Sequence, residues 1–248
     1  MSKTIIILGA NGRIGLNFVN NFLSKGLKVI AVDKENTKLK NIKSDNLIKI
    51  YQDLSSEKNI KIFLNEIKKY KKDIEGMIYC LYPKTKSWGK KFEFLKEKEL
   101  KENIFLQLGL PIIILKNFYN NFRNVHQNIS IVLLSSIQGI RAPKFEHYKD
   151  LNMNSPIEYS ASKSAIISIT SYLSKYYRSK KNIRINCVSP GGIKSNQNKK
   201  FLQRYKKSCI NKGMLDPQDI FGITDFLINE TSEFVRGQNF IVDDGWSL

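Results

Sequence analysis

Cysteine, acidic side chains, linker composition and long apolar runs are all scarce in this sequence, and each shortage removes a class of function. Three cysteines occur in 248 residues, Cys80, Cys187 and Cys209, far apart and without a CxxC pair. Neither a disulfide framework nor a zinc site is expected, no metal is expected, and a reducing, cytoplasmic setting fits. The longest apolar runs, 5–8 and 112–115, are too short to span a bilayer, and only Lys3 stands as a charge before the first; neither a membrane helix nor a signal peptide is expected. No Pro/Gly/Ser-rich linker, repeat or low-complexity tract divides the chain, so residues 1–248 are expected to form one domain. Acidic residues number 22 against 41 lysines and arginines, a formal net charge of +19. A surplus of that size can attract anionic partners. Here, however, the lysines are spread over every expected helix and loop, the pattern of a solvated surface, and no nucleic-acid partner is expected.

What is present is alternation. Short Ile- and Val-rich runs at 4–9, 28–33, 48–52, 76–81, 130–135, 183–189 and 239–242 read as seven strands. Helical periodicity falls between them at 14–25, 56–70, 100–123 and 160–180. That order predicts an α/β fold, a doubly wound, mostly parallel seven-stranded sheet with helices on both faces of the Rossmann type, whose ligands sit at the carboxyl ends of the strands.

The first expected strand runs into Gly9-Ala10-Asn11-Gly12-Arg13-Ile14-Gly15 and then a helix. Glycines at a strand-to-helix turn let the backbone bend tightly and approach a pyrophosphate, so Gly9, Asn11, Gly12, Arg13, Ile14 and Gly15 are candidate cofactor-binding residues. About twenty residues on, the second strand ends in Asp33, whose carboxylate suits the adenosine ribose hydroxyls and repels a 2′-phosphate. NAD is therefore favoured over NADP, although Lys34 beside it offsets part of the repulsion.

Tyr159-Ser160-Ala161-Ser162-Lys163 opens a helix, and the spacing of four stacks phenol and ammonium on one face. A free tyrosine is mostly protonated at neutral pH; a neighbouring lysine and a cationic nicotinamide favour the phenolate, so Tyr159 is expected to serve as general base. Ser136, where the fifth strand ends, is placed to hold the same substrate oxygen.

At these residues the chain resembles the short-chain dehydrogenase/reductase family, from Thr4 to the C-terminus and with the matches in the family's order. The resemblance implies that Tyr159 is the catalytic acid/base and also contacts the cofactor, that Lys163 binds the nicotinamide ribose and lowers the tyrosine pKa, and that Ser136 orients substrate. It further implies that Asn103 anchors a water passing protons toward the lysine, that Asp53 contacts adenine, and that Pro190, Gly191 and Ile193 embrace the nicotinamide. Departures stand at Arg13, in the place of a glycine, at Cys80-Leu81-Tyr82-Pro83, where Asn-Asn-Ala-Gly is usual, and in a long gap between Ser136 and Tyr159, which reads as a substrate-facing insertion. His147 in that gap is expected to be a surface-loop residue.

Gly12-Arg13-Ile14-Gly15, Tyr82-Pro83, Ser189-Pro190-Gly191-Gly192-Ile193, Gly213-Met214-Leu215 and Gly237-Gln238-Asn239 resemble a narrower group, the PtmA-like flagellin-modification oxidoreductases. That resemblance implies oxidation or reduction of a small-molecule substrate, a sugar or amino-sugar precursor of a nonulosonic acid such as legionaminic acid. The basic stretch 194–207, in a lid at about 193–215, suits an anionic sugar and reads alternatively as a mobile, solvated lid. Two other functions fit parts of the pattern: a dinucleotide-sensing regulator without chemistry, and a sugar-nucleotide epimerase or dehydratase. The first need not keep Ser, Tyr and Lys together; the second needs a larger C-terminal domain than the 56 residues after Gly192 (248 − 192) allow. A homodimer or homotetramer is expected, with the long central helix and the closing segment through Trp246 and Leu248 as interfaces.

Overall fold

The computed structural model describes residues 3–179 and 182–248. In chain order its regular elements are β1 Thr4–Leu8, α1 Arg13–Ser24, β2 Lys28–Asp33, β3 Leu47–Tyr51, α2 Glu57–Glu66, β4 Ile74–Tyr79, α3 Glu97–Ile104, α4 Leu110–Phe122, β5 Ile129–Leu134, α5 Ile157–Tyr176, β6 Ile183–Pro190, α6 Lys199–Lys206, α7 Phe221–Ile228 and β7 Asn239–Val242. The seven strands form one sheet in the order β3-β2-β1-β4-β5-β6-β7, and every neighbouring pair is parallel.

The central strands are largely apolar on both sides because both faces are covered, and successive residues serve opposite cores. Ile6, Leu8, Ile30, Val32, Met77, Ile131 and Leu133 point to a core closed by α2, α4 and α5 through Phe63, Phe118, Phe122 and Ile166. Ile5, Ile7, Val29, Ala31, Ile78 and Val132 point to the other, closed by α1 and α7 through Phe18, Phe22, Phe221 and Leu227. Phe18, Phe22, Phe63, Phe118 and Phe122 are fully buried, each worth roughly 1.5–3 kcal/mol in transfer free energy.

Strand order reverses between β1 and β4, so the loops after these two strands diverge and leave a crevice at their carboxyl ends. The helix expected at 100–123 is in fact two, α3 and α4, joined by a π-turn at Phe105–Gly109. Pro111 explains the break: it has no N–H for the Gln107 carbonyl and its ring crowds that group, so the backbone widens by one residue per turn there. The start at Glu97 was hidden because 97–104 is mostly Glu and Lys and carries little apolar period. The expected helix at 160–180 begins earlier, at Ile157, and leaves helical geometry after Tyr176; Lys180 itself lies outside the described residues. No helix among the described residues is long and apolar enough to cross a membrane.

Candidate active site

One cleft of about 750 Å³ opens at the carboxyl ends of the strands, and it collects Gly9, Asn11, Gly12, Arg13, Ile14, Gly15, Asp33, Asp53, Ser136, Tyr159, Lys163, Pro190, Gly191 and Ile193. Asn103 is the one candidate outside that lining.

The dinucleotide half is shaped by absent side chains. Gly9 sits at φ +82° with its missing Cβ 2.9 Å from the Cys80 backbone. At Gly15 a Cβ would overlap the Gly9 carbonyl oxygen and lie 2.9 Å from Ala10 Cα. The turn therefore exists only with glycine at both ends, and it presents the start of α1 to the cleft, the arrangement that receives a pyrophosphate. Gly12 is less constrained, at φ −69° with a would-be Cβ 3.1 Å from Gly9 O. Arg13, standing in for a glycine, donates from Nη1 to the Lys194 carbonyl at 2.5 Å, tying the glycine turn to the segment after β6.

Asp33 Oδ2 accepts from Asn11 N at 2.9 Å, which fixes the carboxylate at the end of β2 facing the cleft. The Asn11 side chain is itself committed to the loop after β2: Nδ2 donates to Thr37 Oγ1 at 2.8 Å and Oδ1 accepts from Lys38 N and Leu39 N at 2.8 and 3.1 Å. Asn11 thus braces the cradle through its side chain and faces the cleft with its remaining surface. Asp53, after β3, accepts from Ser55 N at 2.9 Å and lines the cleft. A nicotinamide dinucleotide fits these groups: glycines for the pyrophosphate, Asp33 for the ribose, Asp53 beyond it.

At the other end of the cleft, β5 and α5 bring the catalytic candidates together. Ser136 begins a tight turn whose Gly139 packs so closely on α5 that a Cβ would fall 2.7 Å from the Lys163 carbonyl carbon. Ser164 Oγ donates to Gly139 O at 2.6 Å and Ser135 Oγ donates to Lys163 O at 2.7 Å, sealing turn to helix. Ser136 is thereby brought close enough to Tyr159 to act on its phenol, while its Oγ accepts from Gln138 N at 3.2 Å. Lys163 Nζ donates to Leu134 O at 3.0 Å and lies 5.7 Å from the centre of the Tyr159 ring.

The electrostatics differ from the sequence expectation in one respect. Burial raises the Tyr159 phenol above its ordinary value; the Ser136 hydroxyl opposes the rise and Tyr148 adds to it. Burial lowers Lys163 from 10.5 to about 8. The lysine does not by itself lower the phenol, because the same desolvation that would strengthen their attraction disfavours both charged forms.

Lys163 gives a stability prediction. Its folded-state pKa is below its unfolded one, so the unfolded chain binds more protons between pH 8 and 10.5. The burden is full below about pH 8 and fades as pH rises toward 10.5. Lys163→Met is expected to be more stable than wild type at pH 7 by roughly 3 kcal/mol at most, from 1.4 kcal/mol per pKa unit. Urea unfolding at pH 7 and pH 10.5 checks this; an equal difference at both values contradicts it.

Three features were not read from the sequence. First, Tyr82 and Trp88 pack edge-on against Tyr159, with ring centres 5.5 and 6.3 Å away, and Trp88 Nε1 donates to Tyr82 OH at 3.0 Å. The Tyr82-Pro83 departure therefore builds a wall over the tyrosine. Second, the 193–215 segment is anchored. Phe201 and Tyr205 of α6 are buried with Ile137, Met214 and Trp246, Tyr205 OH accepts from Gly192 N at 2.6 Å, and Asp244 accepts from Gly213 N at 2.7 Å. The mobile, solvated alternative for 194–207 does not describe α6; the four-residue spacing of Phe201 and Tyr205 was the available signal. Third, His147 is buried, its Nε2 3.0 Å from Ser208 Oγ, among Phe201, Tyr205 and Trp246. It is a cleft-wall residue rather than a surface-loop one. Trp246 is likewise 2% exposed and lines the cleft, stacked on Tyr205, while Leu248 is exposed.

Comparison with known proteins decides the family. The family model described as enoyl-(acyl carrier protein) reductase matches residues 9–247. The chain belongs to the short-chain dehydrogenase/reductase family. Within that family it is 37% identical to the post-translational flagellin modification protein A of Campylobacter coli over all of this chain and 99% of that protein. It is 26% identical to the 7alpha-hydroxysteroid dehydrogenase of Bacteroides fragilis over 100% and 95%. A short chain dehydrogenase from Leptospira borgpetersenii, solved with bound NAD+, superposes with a TM-score of 0.91 at 29% identity, covering 100% of this chain and 94% of that one. A 4-hydroxyisoleucine dehydrogenase complexed with NADH and succinate gives 0.81 at 26%, covering 98% and 99%. The chain is thus a short-chain dehydrogenase/reductase with the family's sheet and a nicotinamide dinucleotide as its cofactor.

Proposed function

We propose that this dehydrogenase/reductase transfers a hydride between NAD and a hydroxyl or carbonyl carbon of a sugar or amino-sugar precursor used in modifying flagellin or another surface glycan. The observation that carries the chemistry is the convergence of Ser136, Tyr159 and Lys163 at the end of the cleft opposite Asp33. Tyr159 would move the proton of the substrate oxygen, taking it in oxidation and returning it in reduction, while Ser136 orients that oxygen. Lys163 would hold the nicotinamide ribose. When bound, the nicotinamide accepts or donates the hydride. Asn103, through the π-turned helix, and Pro190, Gly191 and Ile193, at the end of β6, would complete the site.

The glycan context is supported by the 37% identity to the Campylobacter coli flagellin modification protein over essentially the full length of both chains. Among the described residues the carboxylates lining the cleft, Asp33, Glu35 and Asp53, all follow β2 and β3, and Lys84 and Lys144 come from the loops after β4 and β5; with the adenosine on the β2–β3 side, the substrate would meet lysines and no carboxylate, which suits an anionic sugar. We place the enzyme in the cytoplasm as a homodimer or homotetramer, one domain with its substrate lid at about 193–215. The test is an absorbance screen at the reduced-nicotinamide band with hexoses, hexosamines, their phosphates and nucleotide sugars. Turnover of one of these supports the reading; turnover confined to steroids or acyl thioesters sinks it.

The preference for NAD rests on Asp33. Replacement by Asn removes the repulsion of a 2′-phosphate and weakens the bond to a ribose hydroxyl. The ratio of NADH to NADPH affinity is expected to fall about tenfold or more, the worth of one charge-assisted hydrogen bond. Fluorescence titration with both dinucleotides measures it, and an unchanged ratio contradicts the assignment.

A further inference from the structure

Glu158, next to the catalytic tyrosine, is a carboxylate where the composition would least produce one alone. It is 1% exposed, in the first turn of α5, in a chain with 41 basic residues, yet no cation among the described residues is paired with it. First-turn carboxylates ordinarily face solvent near the free N–H groups of the helix. Glu158 instead accepts through Oε1 from Asn103 Nδ2 at 3.0 Å, and its Oε2 is buried without a partner. Buried polar groups are held by hydrogen bonds, so the bond to Asn103 is what fixes this carboxyl group in place.

The hydrogen bonds continue away from the helix. Asn103, also 1% exposed, accepts through Oδ1 from Thr85 Oγ1 at 2.6 Å, and Thr85 Oγ1 is 2.9 Å from Ser87 Oγ. Thr85 lies in the loop after β4, three residues from both Tyr82 and Trp88, the two rings packed on Tyr159, and Tyr82, Pro83 and Lys84 of this loop line the substrate half of the cleft. Both ends of the Asn103 amide are therefore occupied, and they join the catalytic helix to the substrate loop.

We propose that Glu158 is a positioning residue: through Asn103 and Thr85 it bolts the 82–88 loop to the catalytic helix and so sets the gap between the Tyr82/Trp88 wall and Tyr159 in which the substrate is held. This goes beyond the hydride-transfer reading, and its kinetic arm rests on it. The bolt acts on substrate fit and leaves the dinucleotide half, which it does not touch, unaltered.

Trp88 and Trp246 are the two tryptophans of the chain, so in a Trp246→Phe background Trp88 reports on the loop without any substrate. Glu158→Ala is expected to shift Trp88 emission to the red and to raise its quenching by acrylamide. Thr85→Val, which cuts the bolt from the other end, does the same, and the double variant adds little, since both changes break one chain of bonds. Glu158→Gln keeps an oxygen for Asn103 Nδ2 and stays near the starting spectrum. On whichever hexosamine or hexose phosphate the screen identifies, Glu158→Ala and Thr85→Val raise KM about tenfold, the worth of one buried hydrogen bond, with a smaller change in kcat and unchanged NADH affinity. A folded Glu158→Ala or Thr85→Val protein whose Trp88 stays as shielded as before overturns the proposal, as does loosening by Glu158→Gln equal to that by alanine. If Glu158→Ala does not fold, Thr85→Val decides alone. Because the fluorescence arm needs neither cofactor nor substrate, its failure is distinct from failure of the hydride-transfer reading.

Discussion

Tyr159→Phe should lose catalysis and keep the cofactor. The substitution removes only the phenolic oxygen; the ring that packs against Tyr82 and Trp88 remains, and the glycine cradle at the far end of the cleft is untouched. The loss expected is that of a positioned acid/base, roughly 10²- to 10⁴-fold in kcat. NADH affinity should stay within a factor of about two, since a change of a few tenths of a kcal/mol is typical of a site with no lost partner. Steady-state rates and an NADH titration on the same preparation check both halves. Retained turnover would move the proton chemistry to another group in the cleft, of which Tyr148 is the evident alternative; it accepts from Gln138 Nε2 at 3.3 Å and lines the same space.

Gly15→Ala should show the reverse selectivity. A methyl group there meets the Gly9 carbonyl oxygen and the Ala10 backbone, neither of which can yield without opening the turn that fits the pyrophosphate. Forcing atoms into such a space costs about 1–3 kcal/mol, so the NADH dissociation constant should rise about 10- to 100-fold. Gly12→Ala is the control: its φ of −69° is open to any residue and its nearest neighbour is 3.1 Å away, so a much smaller change is expected. Equal effects at the two positions would contradict the view that Gly9 and Gly15, rather than Gly12, make the cradle.

The difference between Gly12 and Gly15 is one that sequence spacing could not supply. The spacing placed three glycines at a strand-to-helix turn, and from that the cofactor cleft was legible, as was Asp33, because β2 is short and ends where its Ile/Val run ends. The seven strands were legible for the same reason: each is an Ile- and Val-rich run, β1 and β2 being apolar on both faces, and such runs stand out between helices of mixed character. Their ends shifted by one or two residues, as at β4, which runs from Ile74 to Tyr79 instead of 76–81, because strand ends are set by neighbours in the sheet and not by the run itself.

What was illegible came from contacts between distant segments. Asn103 is legible as a polar residue in α3, but which atoms its amide meets depends on Thr85 and Glu158, 18 and 55 residues away. Trp246 reads as an apolar tail and becomes a cleft wall because Asp243 caps Gly245 and Ser247, at 3.0 and 2.8 Å, and turns the chain end inward onto Tyr205. His147 lies in a polar stretch of sequence and is buried because α6 folds over it. In each case the local sequence was compatible with a surface position, and packing against a segment far along the chain decided otherwise.

The most direct test of the central claim is a fluorescence titration of the wild-type protein with NADH, followed by the addition of candidate sugars and measurement of absorbance at the reduced-nicotinamide band. Saturable NADH binding, with oxidation of the cofactor by a keto-sugar that vanishes in Tyr159→Phe, is the predicted result. Absence of NADH binding, or turnover that persists without the Tyr159 hydroxyl, would contradict it.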